Sequence, residues 1–356
     1  GSCTGMQAII TGYQKGQDKT PIVFRIIGTI QAKDMDGLDS SSEGLQIKGK
    51  AADSELNITI EGVRNDATIK GFGFLIRNSA SVELRNLGVM TGMDDGISMD
   101  TDNDHIWVHH IDVVYGPNKG GDQVKGDGAI DVKSDSKHVT ISYCHFWDTG
   151  KSTMCGMTSE SGPNYITYHH NWFDHSDSRH PRIRTMSVHI YNNYFDGVAK
   201  YGVGATTGSD VFVEGNYFRN CKNPMLTSKQ GTDINCGVGS SDQTKGTFSG
   251  EAGGSIKAYN NVMTGSYKFI PYSSTNNQHF DAYVVSSRSE QVPSSVKSLL
   301  GGNTYSNFDT NSSLMPSITP DDPKDVPAIV TGDKGAGRCE HGDFQYTFNN
   351  ATEDSN

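Results

Sequence analysis

Short stretches in which apolar and polar residues alternate recur along this chain. They start at Ile58, Val82, Ile106, Val139, Ile166, Val188, Val211 and Ile256, at intervals of 24, 24, 33, 27, 22, 23 and 45 residues. Each reads apolar-x-apolar, as in Ile58-Thr59-Ile60, Val139-Thr140-Ile141 and Val211-Phe212-Val213. A period of two, rich in β-branched residues, predicts short strands with one buried face.

Positions further along each repeat keep the same phase. Five residues after the start stand Asn171, Asn193, Asn216 and Asn261, with Cys144 in the equivalent place one repeat earlier. Seven residues after it stand Val89, Val113, Phe146, Phe173, Phe195, Phe218 and Met263. A strand, a bend carrying asparagine and a second inward apolar residue make up one coil of a parallel solenoid. The asparagines are expected to hydrogen-bond from coil to coil and to take left-handed backbone at the bend. A strand-rich repeat near 22 residues fits a parallel β-helix better than ankyrin, tetratricopeptide or leucine-rich arrays. The competing β-sandwich gives no reason to repeat asparagine and an aromatic at fixed phase.

The repeat is clearest over 58–263 and fades after about 285. We read one domain over 1–356, with a C-terminal extension packing on the coils. The 45-residue interval before Ile256 holds a Gly- and Ser-rich loop insertion, Gly237 to Gly254. Within the extension, Val292 to Leu300 reads as a helix of about two turns, with Pro293 in the first turn and Gly301-Gly302 as the stop.

Composition narrows the function. The formal net charge is −11 and the basic residues do not cluster in runs, which argues against nucleic acid and against an anionic membrane surface. No apolar run is long enough to span a bilayer. Six cysteines without CxxC spacing make a zinc site improbable and suit an oxidising compartment. Cys221 and Cys236 bracket a polar loop and either form a clip or remain small buried thiols.

Counted back from the next strand, several charged residues share one sector of successive coils. Asp95 lies 11 before Ile106, Asp127 and Asp131 lie 12 and 8 before Val139, Lys151 lies 15 before Ile166, and Arg179 lies 9 before Val188. Coils stack about 4.8 Å apart, so Asp95 is expected to face Asp127 and Asp131. Carboxylates at that range repel unless they share a cation, and oxygen-only donors favour calcium; a solvated face with incidental charges is the alternative. In Asp127-Gly128-Ala129-Ile130-Asp131-Val132-Lys133, residues 127, 131 and 133 share one strand face. Downstream, Arg179-His180-Pro181-Arg182-Ile183-Arg184 adds a basic group suited to gripping an anionic sugar chain.

Here the sequence resembles the pectate lyases of the pectate/pectin lyase superfamily, polysaccharide lyase family 1. The stretches that carry the likeness are Asp95-Gly96-Ile97-Ser98-Met99, the Asp127–Asp131 DGxxD segment, Lys151, Thr167-Tyr168-His169-His170-Asn171, Arg179-x-Pro-x-x-Arg184 and Val188-His189-Ile190-Tyr191-Asn192-Asn193-Tyr194. The resemblance implies an all-β, right-handed parallel β-helix and a secreted, monomeric, calcium-dependent enzyme that cleaves polygalacturonate by β-elimination. By the same likeness Asp95, Asp127 and Asp131 are the calcium ligands, with Asp94 a candidate extra ligand. Arg179 is the catalytic base, and Lys151 and Arg184 meet substrate carboxylates and assist catalysis. Lys133 matches a substrate-contacting position. Met6-Gln7-Ala8-Ile9-Ile10 resembles the family's N-terminal capping helix, without the strand that usually precedes it. His109-His110 stands where the family commonly has an Asp-His pair.

An arginine acting as base must first give up its proton, so an alkaline activity optimum is expected. A pectin lyase acting on methyl esters, a polygalacturonase-type hydrolase using Asp127 and Asp131 as acid and base, and a non-catalytic polysaccharide-binding β-helix are the alternatives. His145, His169 and His170 read as packed histidines. Trp107 and Trp172 read as stacking or core residues.

Overall fold

Alternation along the repeated stretches is what lets the chain coil. In the computed structural model, which describes residues 5–36, 38, 44–92, 94–114, 123–234, 248 and 250–338, the apolar member of each pair turns inward. Ile58, Val82, Ile106, Val139, Ile166, Val188, Val211 and Ile256 are all buried. They also stack in register: Ile58 pairs with Val82, Val82 with Ile106, Ile106 with Val139, Ile166 with Val188, Val188 with Val211, and Val211 with Ile256. These pairings are parallel, so each coil lies on the one before it.

The second inward position forms its own column. Val89, Val113, Phe146, Phe173, Phe195, Phe218 and Met263 pair one after another. The four phenylalanine rings stack at centroid distances of 4.8, 4.9 and 4.3 Å. Each such contact is worth about 0.5–1.5 kcal/mol beyond the area it buries.

Between the two columns the chain turns a corner, and the asparagines hold it. The Asn171 side chain donates to Asn193 Oδ1 at 2.9 Å, Asn193 to Asn216 at 3.0 Å, and Asn216 to Asn261 at 3.0 Å. At the head of this ladder, the Cys144 N–H donates to Asn171 Oδ1 at 2.9 Å. The left-handed residue sits one position earlier than expected. Asn86, His110, Tyr143, His170, Asn192 and Asn260 have φ between 50° and 55°. The residue before the ladder makes the bend, and the ladder asparagine supplies the side-chain bonds.

The long strands Ser54–Lys70, Ser79–Met90 and Asp104–Val114 carry both columns around this corner and join two faces into one sheet. The other face is a separate sheet of eight short strands, Leu45–Lys48, Phe74–Arg77, Ile97–Asp100, Ile130–Lys133, Met154–Cys155, Arg182–Ile183, Val203–Ala205 and Met225–Thr227. Helix α1, Met6–Gln14, closes the first coil by burying Met6, Ile10 and Tyr13. It is tied there by the Gln7 side chain, which donates to the Gln46 carbonyl. A single apolar core then runs from Met6 to Ala282. The fold is an all-β parallel β-helix.

After residue 285 the chain packs on the outside of the coils. Val292, Val296, Tyr305 and Phe308 cluster with Phe212 and Phe280. The short helix α2, Val326–Thr331, buries Val326 and Val330 against Tyr194. The two-turn helix expected over 292–300 does not form. Asn307 takes both backbone groups of Val292, accepting from its N–H at 2.8 Å and donating to its carbonyl at 3.1 Å. Only one turn closes, Val296 N–H to the Pro293 carbonyl, before Lys297 bridges to Thr304. Cys221 is a buried thiol; Cys236, its expected partner, and most of the 237–254 insertion lie outside the described residues.

Candidate active site

Strands of two to four residues leave the segments flanking the third face side by side on the surface. Asp95 precedes Ile97–Asp100, Asp127 precedes Ile130–Lys133 and Asp131 lies within it. Lys151 precedes Met154–Cys155, and Arg179 and Arg184 flank Arg182–Ile183. Bridges of Gly128 to Lys151 and of Lys151 to Ser178 bring the neighbours of Asp127 and Arg179 to either side of Lys151. The phase counted from the sequence thus brings these residues into one patch.

Gly128 makes room there. A Cβ on it would lie 2.4–2.6 Å from the atoms of the Asp131 carboxylate, so the DGxxD pattern leaves room for that carboxylate to fold back over the chain. Asp131 Oδ1 accepts the Met154 N–H at 2.8 Å, and Asp95 Oδ1 accepts the Gly128 N–H at 3.1 Å. Between them sits Lys133, 2.5 Å from Asp95 Oδ2 and 3.4 Å from Asp131 Oδ2. Asp127 turns the other way, accepting from the Gln123 amide and lying 3.4 Å from the Lys151 ammonium.

Electrostatics explain the lysine. Burial pushes the Asp95 carboxyl up, Asp131 pushes it further, and Lys133 only partly offsets them, so it titrates at about 7. The same two carboxylates outweigh burial and hold the Lys133 ammonium above its ordinary range. This pocket of carboxylate oxygens is built to face a cation, and an ammonium supplies the charge here. Oxygen-only donors of this kind fit a hard divalent ion. Lys133, the residue expected to contact substrate, is engaged with Asp95 and Asp131. Asp94 adds to the negative charge around Asp95.

Arg179 is half-buried and adopts a left-handed backbone, φ 64°. Its guanidinium makes no hydrogen bond or ion pair among the described residues. Its neighbour His180 is fully buried, donates from Nδ1 to the Tyr201 carbonyl at 2.8 Å, and is pushed down to about 3 by burial. Tyr201 is also buried, which raises its hydroxyl to about 12 despite the charge of Arg179 and Arg182. Arg184 is paired within the chain. Its guanidinium pairs with Glu251 at 2.7 Å, and Arg182 meets the same carboxylate at 2.7 Å. Glu251, Arg182 and Tyr201 were not singled out by the sequence pattern. Arg182 lay inside the quoted motif, but Glu251 comes from the unphased insertion.

The histidines pack as read. His145 lies between Asp112 and Asp174, and His170 meets Asp321 at 2.8 Å. Trp107 is exposed but stacks on His109, and Trp172 stacks on His145.

Residues 17–249 match the sequence profile of a family described as pectate lyase. A pectate trisaccharide-lyase of Bacillus licheniformis is 31% identical over 228 residues, 63% of each chain. A pectate lyase A of Emericella nidulans is 32% identical over 183 residues, covering 49% of this chain and 55% of that protein. The chain therefore spans less than two thirds of the length of these curated relatives. Among solved structures, a pectate lyase from Bacillus sp. N165 in complex with trigalacturonate superposes with a TM-score of 0.64 at 22% identity, covering 94% of this chain and 90% of that one. Pectate lyase C from Erwinia chrysanthemi gives 0.56 at 20% identity, covering 85% and 76%. At these identities the structures speak for the fold.

Proposed function

Since the chain belongs to the pectate lyase family, we propose that it cleaves α-1,4-linked polygalacturonate by β-elimination to 4,5-unsaturated oligogalacturonides. One observation supports this most: three aspartates on adjoining coils lie beside Lys151 and Arg179 on the next two. A hydrolase would need two carboxylates flanking the scissile bond, whereas here the acidic group is followed by cations.

Asp95 and Asp131, with Asp127 once its side chain turns from Lys151, are the residues that would hold Ca²⁺. Bound there, the ion would set positive charge against the uronate carboxylate and make the adjacent C5 proton easier to remove. Arg179, after losing its own proton to solvent at alkaline pH, takes that proton as a neutral guanidine; its side chain is not committed to a neighbouring residue among those described. Lys151 faces the negative charge that develops as the C5–H bond breaks; that electron pair forms the C4–C5 double bond, the bond to O4 breaks, and the departing O4 takes a proton from water. Burial of the Lys151 side chain, 9% exposed, strengthens its contact with that charge.

The reading takes the protein as a secreted, monomeric β-helix domain. No described helix is long and apolar enough to cross a membrane. The test is ultraviolet absorbance during incubation with polygalacturonate at alkaline pH, with calcium and then with chelator. A rise that chelator stops is the expected result. Reducing ends without new absorbance would mean hydrolysis and would overturn the proposal.

A further inference from the structure

Arg184 has the geometry to grip a carboxylate, but the carboxylate it holds belongs to the chain itself. Glu251 Oε1 accepts from Arg184 Nη2 at 2.7 Å and from Nε at 3.0 Å, while Oε2 lies 3.1 Å from Nε. The same Oε1 accepts from Arg182 Nη2 at 2.7 Å. The remaining amino group, Nη1, is turned toward the Met154 sulfur at 3.2 Å and the Gly156 carbonyl at 3.4 Å. Every edge of the Arg184 guanidinium is thus occupied from within.

The clamp is built rather than incidental. The side chains of Arg182, Arg184 and Glu251 are 8%, 13% and 18% exposed. Arg182 is pinned over the Phe248 ring at 5.2 Å. On the other side, the Glu251 carbonyl accepts from Ser228 Oγ at 2.8 Å and the Gly253 N–H donates to the Leu300 carbonyl at 3.0 Å. Burial raises the Glu251 carboxyl, but hydrogen bonding from Arg184 and the charges of both arginines outweigh it and hold the group ionised below its ordinary range.

A free uronate arriving at Arg184 must either displace this bidentate contact or lie beside a second negative charge. Displacement forfeits a charge-assisted, two-point interaction. Crowding costs like-charge repulsion in a partly buried place. A methyl-esterified uronate meets neither penalty.

We propose that Glu251 is a specificity-determining residue: it occupies the Arg184 fork in place of a substrate carboxylate, so the sugar unit against Arg182 and Arg184 is accepted when methyl-esterified. The inference rests on the polyuronate lyase reading of this site.

The test compares the full chain with Glu251→Gln and Glu251→Ala in two measurements. Initial rates by ultraviolet absorbance give kcat/KM on polygalacturonate and on partly methyl-esterified pectin. Calorimetry with trigalacturonate and its methyl ester, in calcium, reads binding without turnover. Both variants should bind trigalacturonate about tenfold more tightly, the equivalent of one such charge-assisted contact. The ratio of activity on esterified to unesterified substrate should fall by a similar factor. An unchanged ratio, or weaker trigalacturonate binding, would overturn the proposal and leave Glu251 a structural clamp. Glu251→Gln keeps the shape of the side chain, so it decides the matter if Glu251→Ala unfolds. If the unaltered chain turns over neither substrate, the lyase reading fails on its own. Calorimetry then decides for Glu251: tighter binding of trigalacturonate by Glu251→Gln supports its role, and unchanged binding overturns it.

Discussion

The guanidinium of Arg338 and the carboxylate of Asp112 meet at 2.9 Å across 226 residues of chain. Neither side chain is more than 1% exposed. The Arg338 N–H donates to the same carboxylate, and Nη1 donates to Thr68 Oγ1 at 3.0 Å and to the Ala67 carbonyl at 3.3 Å. The C-terminal segment is therefore bolted to the early coils through one buried ion pair. Arg338→Leu leaves buried Asp112 with His145 as its remaining ionic partner and should cost about 3 kcal/mol, read as a lowered urea midpoint. A loss below 1 kcal/mol would show that the segment is held by its apolar contacts alone.

Asp112 also lies 3.4 Å from His145, whose other ring nitrogen meets Asp174 at 2.8 Å. Burial opposes charge on His145, but the two carboxylates outweigh it and raise its titration to about 9. The folded value lies above the unfolded one of about 6.5. This stabilisation is therefore complete below the unfolded value and is lost as pH climbs through the folded one. Melting temperature should fall over that window in the unaltered protein and fall less in His145→Gln. Parallel profiles would assign the titration to another group.

Arg179 pays for its left-handed backbone, which costs a non-glycine residue about 1 kcal/mol or more. Arg179→Gly should remove turnover of polygalacturonate while leaving the melting temperature equal or slightly higher. A variant that melts early would show that the guanidinium holds the fold together rather than taking a proton.

Asn193 donates to the carbonyls of Tyr168 and Tyr191 and to Asn216, and it accepts from Asn171. Asn193→Ala leaves several of these buried groups without partners, each costing about 1–3 kcal/mol. We expect a loss of at least about 2 kcal/mol in chemical denaturation. A near-neutral result would mean that water replaces the missing side chain.

The Lys133 ammonium neutralises Asp95 and Asp131. Lys133→Met should melt earlier than the unaltered chain in chelator and gain more from added calcium, because binding then relieves an uncompensated repulsion. Equal calcium-induced shifts in differential scanning fluorimetry would place the ion away from these two aspartates.

The coils were legible because a parallel stack repeats its constraints at one phase. Ile106, Phe173 and Asn193 each answer the same geometric demand as their counterparts one coil away. The aspartates were legible for the same reason, since Asp95 and Asp131 ride on that phase. Glu251 was not, because it reaches Arg184 from an insertion with no periodicity. The bend was misplaced by one residue: at Asn192 the backbone turns, while Asn193 makes the bonds, and adjacent asparagines hide the distinction. Helix α2 has six residues, includes Pro327 and lacks a side-chain cap, so burial of Val326 and Val330, rather than local preference, holds it. The absent helix over 292–300 is the converse, a plausible local pattern defeated by the distant Asn307.

The rung from Asn216 to Asn261 has the same 3.0 Å length as the rung from Asn193 to Asn216, although it spans 45 residues rather than 23. The longer interval has not stretched the spine. Growth of such a molecule is thereby decoupled from its mechanics. The interval between coils can lengthen while the rung-to-rung spacing, and hence the spacing presented along the neighbouring face, stays fixed.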